Sequence, residues 1–412
     1  MGRLFSEFFL AILLVGTLGV AFNASLSGAS SVTITVPDDY TTIQAAIANA
    51  NAGDLIFVRQ GVYLENIVLN KSVSLVGQDR KNTIIEASGG GTGVEITSDN
   101  VVLSNFTVRG AGDFGVWVKS SDNLIQSNIL ADDHEGVYLD GRESHVERNT
   151  VRDNDALNNS DCGILLWVSF NNTIASNIVV SNYFGIYLFQ NSSSNLLIEN
   201  ECVNNSDAGV LLSVGSSENR VTGNDISRNG LTGGAYTSGI VIDVNSNGNR
   251  LIGNNVTNNQ RGMWQSYQTD HNTLYHNSFV NNSVQVASGV PVSNIWDNGY
   301  PSGGNYWSNY LGTDAKSGQY QNLTGSDGIG DTPYIIDGDN VDHYPLMKPF
   351  IPILGDLNGD GQVDIRDIAR PARAFGSYPG HARWDPAADL NRDGIIDLKD
   401  IAQIAKNFGR TL

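Results

Sequence analysis

The strongest constraint on how this chain folds is a short phrase that keeps returning. "NNTIASNIV" runs from Asn171 to Val179, with near-copies beginning at Asp122 ("DNLIQSNIL"), Gly248 ("GNRLIGNNV") and His271 ("HNTLYHNSF"). A marker asparagine follows each short apolar stretch, at Asn105, Asn128, Asn149, Asn177, Asn200, Asn224, Asn254 and Asn277, in steps of 21 to 30 residues. A glycine that opens a second apolar stretch keeps pace with it, at Gly93, Gly115, Gly136, Gly163, Gly185, Gly209, Gly239 and Gly262. Two markers with one period define a solenoid, whose units bury their apolar faces only against their neighbours.

Within each unit, β-branched residues alternate with period two between Asn, Ser, Asp and Gly, and helical periodicity is missing. The expected fold is all-β, a right-handed parallel β-helix. Its asparagines then occupy corners, where their backbone tolerates left-handed geometry and their amides bond the next coil about 4.8 Å away. On this reading the asparagines are structural. Asn105 also opens an N-F-T sequon and is expected to stay unglycosylated as a member of the inward ladder, whereas Asn70, Asn158, Asn171, Asn191, Asn204, Asn255, Asn281 and Asn322 begin other sequons.

An open solenoid end exposes core and unpaired edge, so it needs a cover. "DDYTTIQAAIANANAGD", from Asp38 to Asp54, supplies one at the front. Thr41 or Thr42 can cap a helix there, Ile43, Ala46 and Ile47 share a face, and Gly53 ends it. Ahead of it, Arg3, the apolar run from Phe8 to Phe22 and small residues ending at Ala29 read as a signal peptide over 1–29. The competing reading is an uncleaved anchor, and either way this segment is the sole expected membrane contact. The β-helix is expected over 30–350, with a closing segment at 294–350, followed by a separate domain at 351–412.

The charge balance narrows the partners. Asp and Glu number 43 against 24 Lys and Arg, a net charge of −19. Nucleic-acid phosphates require the opposite balance, while divalent cations suit this one. Cys162 and Cys202 are the only cysteines. They fall at different points of the repeat and are expected on different faces, so a bridge between them is the lesser expectation.

"VPDDYTTIQAAIANANAGDLIFVRQGVYLENIVLNKSVSLVG", the repeats, "GGNYWSNY" at Gly303 and "DGIGDTPYIIDGDNVDHYPLMKPF" from Asp327 resemble the NosD-like β-helix family, a branch of the pectin-lyase-like superfamily, from Val32 to Phe350. The resemblance implies the β-helix fold. It leaves function open, because members range from sugar-active proteins to a periplasmic factor associated with copper.

The tail carries a different pattern. "DLNGDGQVDIRD" (356–367) and "DLNRDGIIDLKD" (389–400) repeat at an offset of 33, with oxygen-bearing residues at loop positions 1, 3, 5, 9 and 12 and glycine at position 6. Hard oxygens around a sharp turn are calcium-loop chemistry. The expected ligands are Asp356, Asn358, Asp360, Gln362 (by its carbonyl), Asp364 and Asp367, then Asp389, Asn391, Asp393, Ile395 (by its carbonyl), Asp397 and Asp400. Paired loops with a closing aspartate and trailing helix resemble a type I dockerin domain. That resemblance implies two Ca2+ ions and a cohesin-bearing partner contacted through Ile365, Arg366, Leu398 and Lys399. Pro371, where the second copy has Ile404, is expected to bend the first helix.

Alternation along the glycine-led strands sends Trp117, Tyr138, Leu165, Tyr187, Leu211, Val241 and Trp264 outward, with Lys119, Asp140, Trp167, Phe189, Ser213, Asp243 and Ser266 two residues further on. Aromatic rings stack on sugar C–H faces, so Trp117, Tyr138, Trp167, Tyr187, Phe189 and Trp264 are the candidate polysaccharide contacts. The alternative is that inserted loops such as "NGLTGGAYTS" (229–238) fold over and bury the stripe.

One coil, "DDHEGVYLDGRESH", is crowded with titratable groups, and Asp113, Asp133, His134 and Asp161 are the candidate catalytic residues. Asp113 and Asp161, two coils apart at about 10 Å, approach the spacing of an inverting glycosidase pair. A polysaccharide lyase would instead need a base and a cation, for which Lys119 and Arg142 are nearest. The Asn-Thr-Asp, Gly-His-Gly and Arg-Ile-Lys motifs of β-helix polygalacturonases do not occur. Copper finds little support in six histidines and three methionines, with His271 and His276 on opposite faces of a strand. The aspartates at 314, 327, 331, 337, 339 and 342 are a further candidate calcium set. Three readings follow: a surface polysaccharide-binding protein, a hydrolase or lyase on the same glycan, and a structural surface protein.

Overall fold

A computed structural model describes residues 31–350, 355–357, 362–378, 381, 383–391 and 394–410. Val32–Ile351 forms one compact unit, and the described residues from Gly355 onward belong to a second. The expected signal segment lies outside the described residues. No helix among the described residues is long and apolar enough to cross a membrane.

The first unit is a right-handed parallel β-solenoid. Each coil gives one short strand to each of three sheets, as in Thr173–Ala175, Ile178–Val180 and Phe184–Phe189. The first and second sheets have 11 strands and the third has 10, every pairing along them parallel. Alternation sends Ile174, Val179, Ile186 and Leu188 into a core that shows almost no accessible surface.

Three corners separate the sheets, and each carries its own ladder of buried asparagines. Asn177 is representative. Its Oδ1 accepts from the backbone N–H and the amide of Asn154, both at 3.1 Å, while its Nδ2 donates to Asn200 Oδ1 and the Val151 carbonyl, both at 2.9 Å. One ladder runs from Asn128 to Asn305, a second from Asn159 to Asn282, and a third from Asn123 to Asn294. The residue before each ladder asparagine except the terminal Asn294 and Asn305 turns the chain through left-handed backbone, as at Ser176 (φ 53°), Ser181 (φ 59°) and Ser194 (φ 59°). A buried amide with all its bonds made carries little desolvation cost, whereas an apolar replacement would take the side-chain partners from a backbone N–H and carbonyl of the preceding coil and a donor from the asparagine of the next.

Two asparagines assigned from the repeat move. Asn149 belongs to the third ladder; the first-corner member of its coil is Asn154, which makes the steps 26 and 23 residues. Asn105 is not a ladder residue. Phe106 holds that place, its N–H donating to Asn128 Oδ1 at 3.0 Å, and Asn105 is a half-buried turn residue with φ 62°. The ladder therefore gives no reason for the Asn105 sequon to stay bare.

The strand glycines have a steric cause. A Cβ on Gly163 would stand 2.8 Å from Asn182 Nδ2 and 2.9 Å from the Gly185 carbonyl oxygen, and Gly136, Gly185, Gly209, Gly239 and Gly262 face the same pair of atom types. Glycine recurs because the second ladder fills the space a side chain would need.

Helix α1 (Ile43–Asn49) closes the front, burying Ile43, Ala46 and Ile47. Thr42 caps it, and the Glu65 carboxylate receives the N–H groups of Ile43 and Gln44 at 3.0 Å. At the far end, Phe279, Trp307 and Tyr334 stack with centroids 4.6 and 4.3 Å apart. The closing segment also prolongs two ladders, Asn340 Oδ1 receiving Asn294 N–H at 3.0 Å and Asp342 Oδ2 receiving Asn305 N–H at 2.8 Å.

The second unit pairs helices α2 (Ile365–Ala374) and α3 (Leu398–Asn407), packed through Val363, Ile368, Ile401 and Ile404. Asp364 and Asp397 cap them, and Asp367 and Asp400 complete both capping boxes. Pro371 is buried inside α2, which nevertheless runs ten residues like α3; proline here does not shorten the helix.

Candidate functional site

The outward face of the third sheet carries the columns expected from alternation. Trp117, Tyr138, Leu165, Tyr187, Leu211, Val241 and Trp264 are successive register partners, and beside them run Asp140, Trp167, Phe189 and Ser213. Trp117 and Tyr138 lie parallel at 6.5 Å, and Trp167 meets Phe189 edge-on at 4.8 Å. Lys119 Nζ sits 3.5 Å from the Trp117 ring centre. Arg142 lies 4.4 Å over Trp167, held by two 2.8 Å bonds to Asp140.

The two halves of this stripe differ in cover. Trp117, Trp167, Tyr187 and Phe189 are half-buried, while Tyr138 is sealed beneath its neighbours at 1% exposure. Further along, Tyr236 from the 230–237 loop packs over Leu211 and Val241 beside Trp264. Asp207 Oδ1 fastens that loop by accepting from Tyr236 and Thr237 N–H, and the Tyr236 hydroxyl donates to Asp243. The inserted loop thus closes the far half and leaves the near half accessible.

Of the four candidate catalytic residues, the structure brings His134 and Asp161 together and sets Asp133 apart. Asp133 is 3% exposed and heads the second ladder in place of an asparagine. Its Oδ2 takes the position that Nδ2 holds in later coils, 2.4 Å from where a Gly115 Cβ would be, and has no hydrogen-bond partner. Burial pushes its carboxyl up to about 8. Asp113 is exposed. The residue that sequence reasoning passed over is Glu135: its Oε2 lies 2.8 Å from His134 Nδ1, and ligand atoms of His134, Glu135 and Asp161 all fall within 4.8 Å of one another. Burial drives Glu135 up to about 7, outweighing the neighbouring imidazole, and burial raises Asp161 too. Its strand position, one residue before Gly136, was the available signal.

Cys162 is buried on the third sheet and Cys202 in the core of the second, and both are free thiols. In the second unit, the buried carboxylates of Asp367 and Asp400 sit at the base of the two loops, each accepting backbone N–H groups of its own loop. Asp356, Gln362 and Asp364, with Asp389, Asn391, Ile395 and Asp397, flank them. Asn358, Asp360 and Asp393 lie outside the described residues. This all-oxygen donor set fits a hard divalent cation. Ile365 and Leu398 are exposed at equivalent first turns, with Arg366 and Lys399 beside them.

The closing-segment aspartates spend their oxygens on loop amides: Asp331 on Ala315 and Lys316, Asp314 on Asp327 and Gly328, Asp337 on Asp339 and Asn340. Among the described residues, the cluster of His, Cys, Asp and Glu donors close enough to share an ion is His134, Glu135 and Asp161. A copper site of imidazole, thioether and thiolate ligands does not fit: His276 is buried with Nε2 on the Ser302 carbonyl, His271 is exposed, and the cluster holds a single imidazole.

Comparison with known proteins agrees with this architecture. Residues 47–237 and 224–312 match the family described as periplasmic copper-binding protein (NosD), and residues 354–409 match the dockerin type I domain. A cell surface glycoprotein of Methanothermus fervidus is 29% identical over 353 residues, covering 74% of this chain; the chain spans 56% of that relative's length. Among solved structures, the A-module of an Azotobacter vinelandii mannuronan C-5 epimerase is 16% identical over 61% of this chain and 93% of its own, with a TM-score of 0.44. A pectate lyase is 15% identical over 71% of this chain and 84% of its own, with a TM-score of 0.43.

Proposed function

This chain belongs to the NosD family, and from that premise we propose that it is a secreted or cell-surface protein whose β-helix binds polysaccharide and whose calcium-dependent dockerin module docks it to a cohesin-bearing partner. The observation that carries the glycan reading is the open half of the stripe, where Trp117, Trp167, Tyr187 and Phe189 line a flat sheet face, with Lys119 over the Trp117 ring and Arg142 over the Trp167 ring. Half-buried rings on a rigid sheet offer stacking surface at little entropic cost. The surface-glycoprotein relative supports the location.

Affinity electrophoresis through gels containing neutral or acidic polysaccharides tests it. Retardation by at least one polysaccharide, lost in Trp117→Ala and Trp167→Ala, is expected; unretarded migration in every gel overturns it. For the module, capture by a cohesin domain in calcium and release by chelator is expected, with Ile365→Asp and Leu398→Asp weakening capture. The second reading, hydrolysis or elimination on the same glycan, draws on Glu135 beside His134 and Asp161 near the stripe. Reducing-end release abolished in Glu135→Gln distinguishes it from binding alone.

A further inference from the structure

Glu135 is a carboxylate in an apolar setting. Its register partner Phe114 packs on Tyr138 with ring centroids 4.8 Å apart, and in the next coils Cys162 pairs with Phe184 and Phe184 with Ala208. Glu135 itself is only 8% exposed. Asp161 lies alongside, and Asp113 is close enough for its charge to act on Glu135. No Lys or Arg among the described residues forms an ion pair with any of these three carboxylates; the two cations of the stripe pair elsewhere, Lys119 with Glu95 and Arg142 with Asp140. Burying carboxylates side by side without a counter-charge is costly. The His134 imidazole is the one side chain here able to carry a compensating charge, the Cys162 thiol adding only a neutral hydrogen bond to Asp161, and it has about half its side chain exposed.

We propose that His134, Glu135 and Asp161 form a divalent-cation site of the zinc or manganese class, distinct from the calcium loops of the second unit. One imidazole nitrogen and two carboxylate oxygens within 4.8 Å of one another can converge on a single ion, leaving positions for water. The nitrogen donor disfavours calcium and magnesium, which take oxygen ligands. The absence of a thioether or a second imidazole from the cluster disfavours cuprous ion. The ion would neutralise the acidic end of the stripe, so that an anionic sugar could approach it.

The test uses the full chain with calcium already saturating its tail loops. Crystals soaked in ZnCl2 or MnCl2 are expected to show one anomalous-scattering peak about 2.0–2.2 Å from the three donors. Calorimetric titration with either metal is expected to weaken at least about tenfold in Glu135→Gln and in Asp161→Asn. His134→Ala, with an unchanged melting temperature as its control for folding, should weaken it similarly. No peak at the cluster, peaks only at other acidic groups, or unchanged affinity in both Glu135→Gln and His134→Ala overturns the proposal. The polysaccharide gels, run in calcium without zinc or manganese, report on the stripe independently, so the two readings can fail separately.

Discussion

At the second corner the chain stacks Asn159, Asn182, Asn205 and Asn229 in one line; on the outward face of the third sheet the same coils present Leu165, Tyr187, Leu211 and Val241. Both columns have the same spacing and the same parallel register. They differ in what each residue must satisfy. A corner asparagine bonds to its own copies above and below, so a change at one coil damages two others. An outward residue needs only width from its neighbours, so its identity is free to answer to solvent or ligand. Sameness along the solenoid therefore marks support, and variation marks where a function can be written.

The largest effect expected from breaking this contrast is at Asn200. Replacing it with alanine strands the Asn177 N–H, removes the side-chain donor from the Ile174 carbonyl, and takes one of two bonds each from Asn177 Nδ2 and Asn224 Oδ1. Urea unfolding should show a loss of about 4 kcal/mol, several buried groups at 1–3 kcal/mol each, partly relieved by water. A loss under about 1 kcal/mol would mean the ladder supports far less than its geometry implies.

Asp133→Asn should move stability the other way. The native carboxyl is raised by burial and by Asp132, so folding holds a proton that the unfolded chain releases. Stability from this group is intact below the unfolded value of about 4, falls as pH rises towards about 8, and stays low beyond it. The asparagine variant completes the ladder without a proton. It should gain a few kcal/mol at about pH 9 and nothing at about pH 4, read from melting temperature against pH. Equal curves would show that Asp133 is solvated or paired.

Gly185→Ala comes next. Its Cβ would stand 2.3 Å from the Gly209 carbonyl oxygen and 2.9 Å from Asn205 Nδ2, for a cost of about 2 kcal/mol. The smallest effect is expected on the outward face. Phe189→Ala should weaken polysaccharide retention by about 1 kcal/mol of stacking while leaving the coil assembled. A cooperative loss of the whole fold from that change would erase the distinction between the two columns.

The coil, its outward columns and the front helix were legible because each rests on local rules: period-two alternation, the Thr42 cap, the Ile43 and Ile47 face. The number of ladders was not. Asn128, Asn149 and Asn177 look equivalent in a list, and only the three-sheet winding separates Asn149 from Asn154. Asp133 was hidden for a related reason. An acid among acids suggests chemistry, but its position puts it in line with Asn159 as an amide substitute. Glu135 gave a weaker signal, because whether the residue before a strand glycine is covered depends on the rings of other coils. The Tyr236 cover could be foreseen as a loop, but not which half of the stripe it would close.

Asn340 and Asp342 reach back to receive Asn294 and Asn305, as another coil would. The final cap thus recognises the last coils beneath it, and the front helix meets the first coils. Neither end measures the distance to the other. Whole turns could be gained or lost between them over evolutionary time without redesigning either terminus, and the length of the solenoid would be set simply by how many turns it keeps.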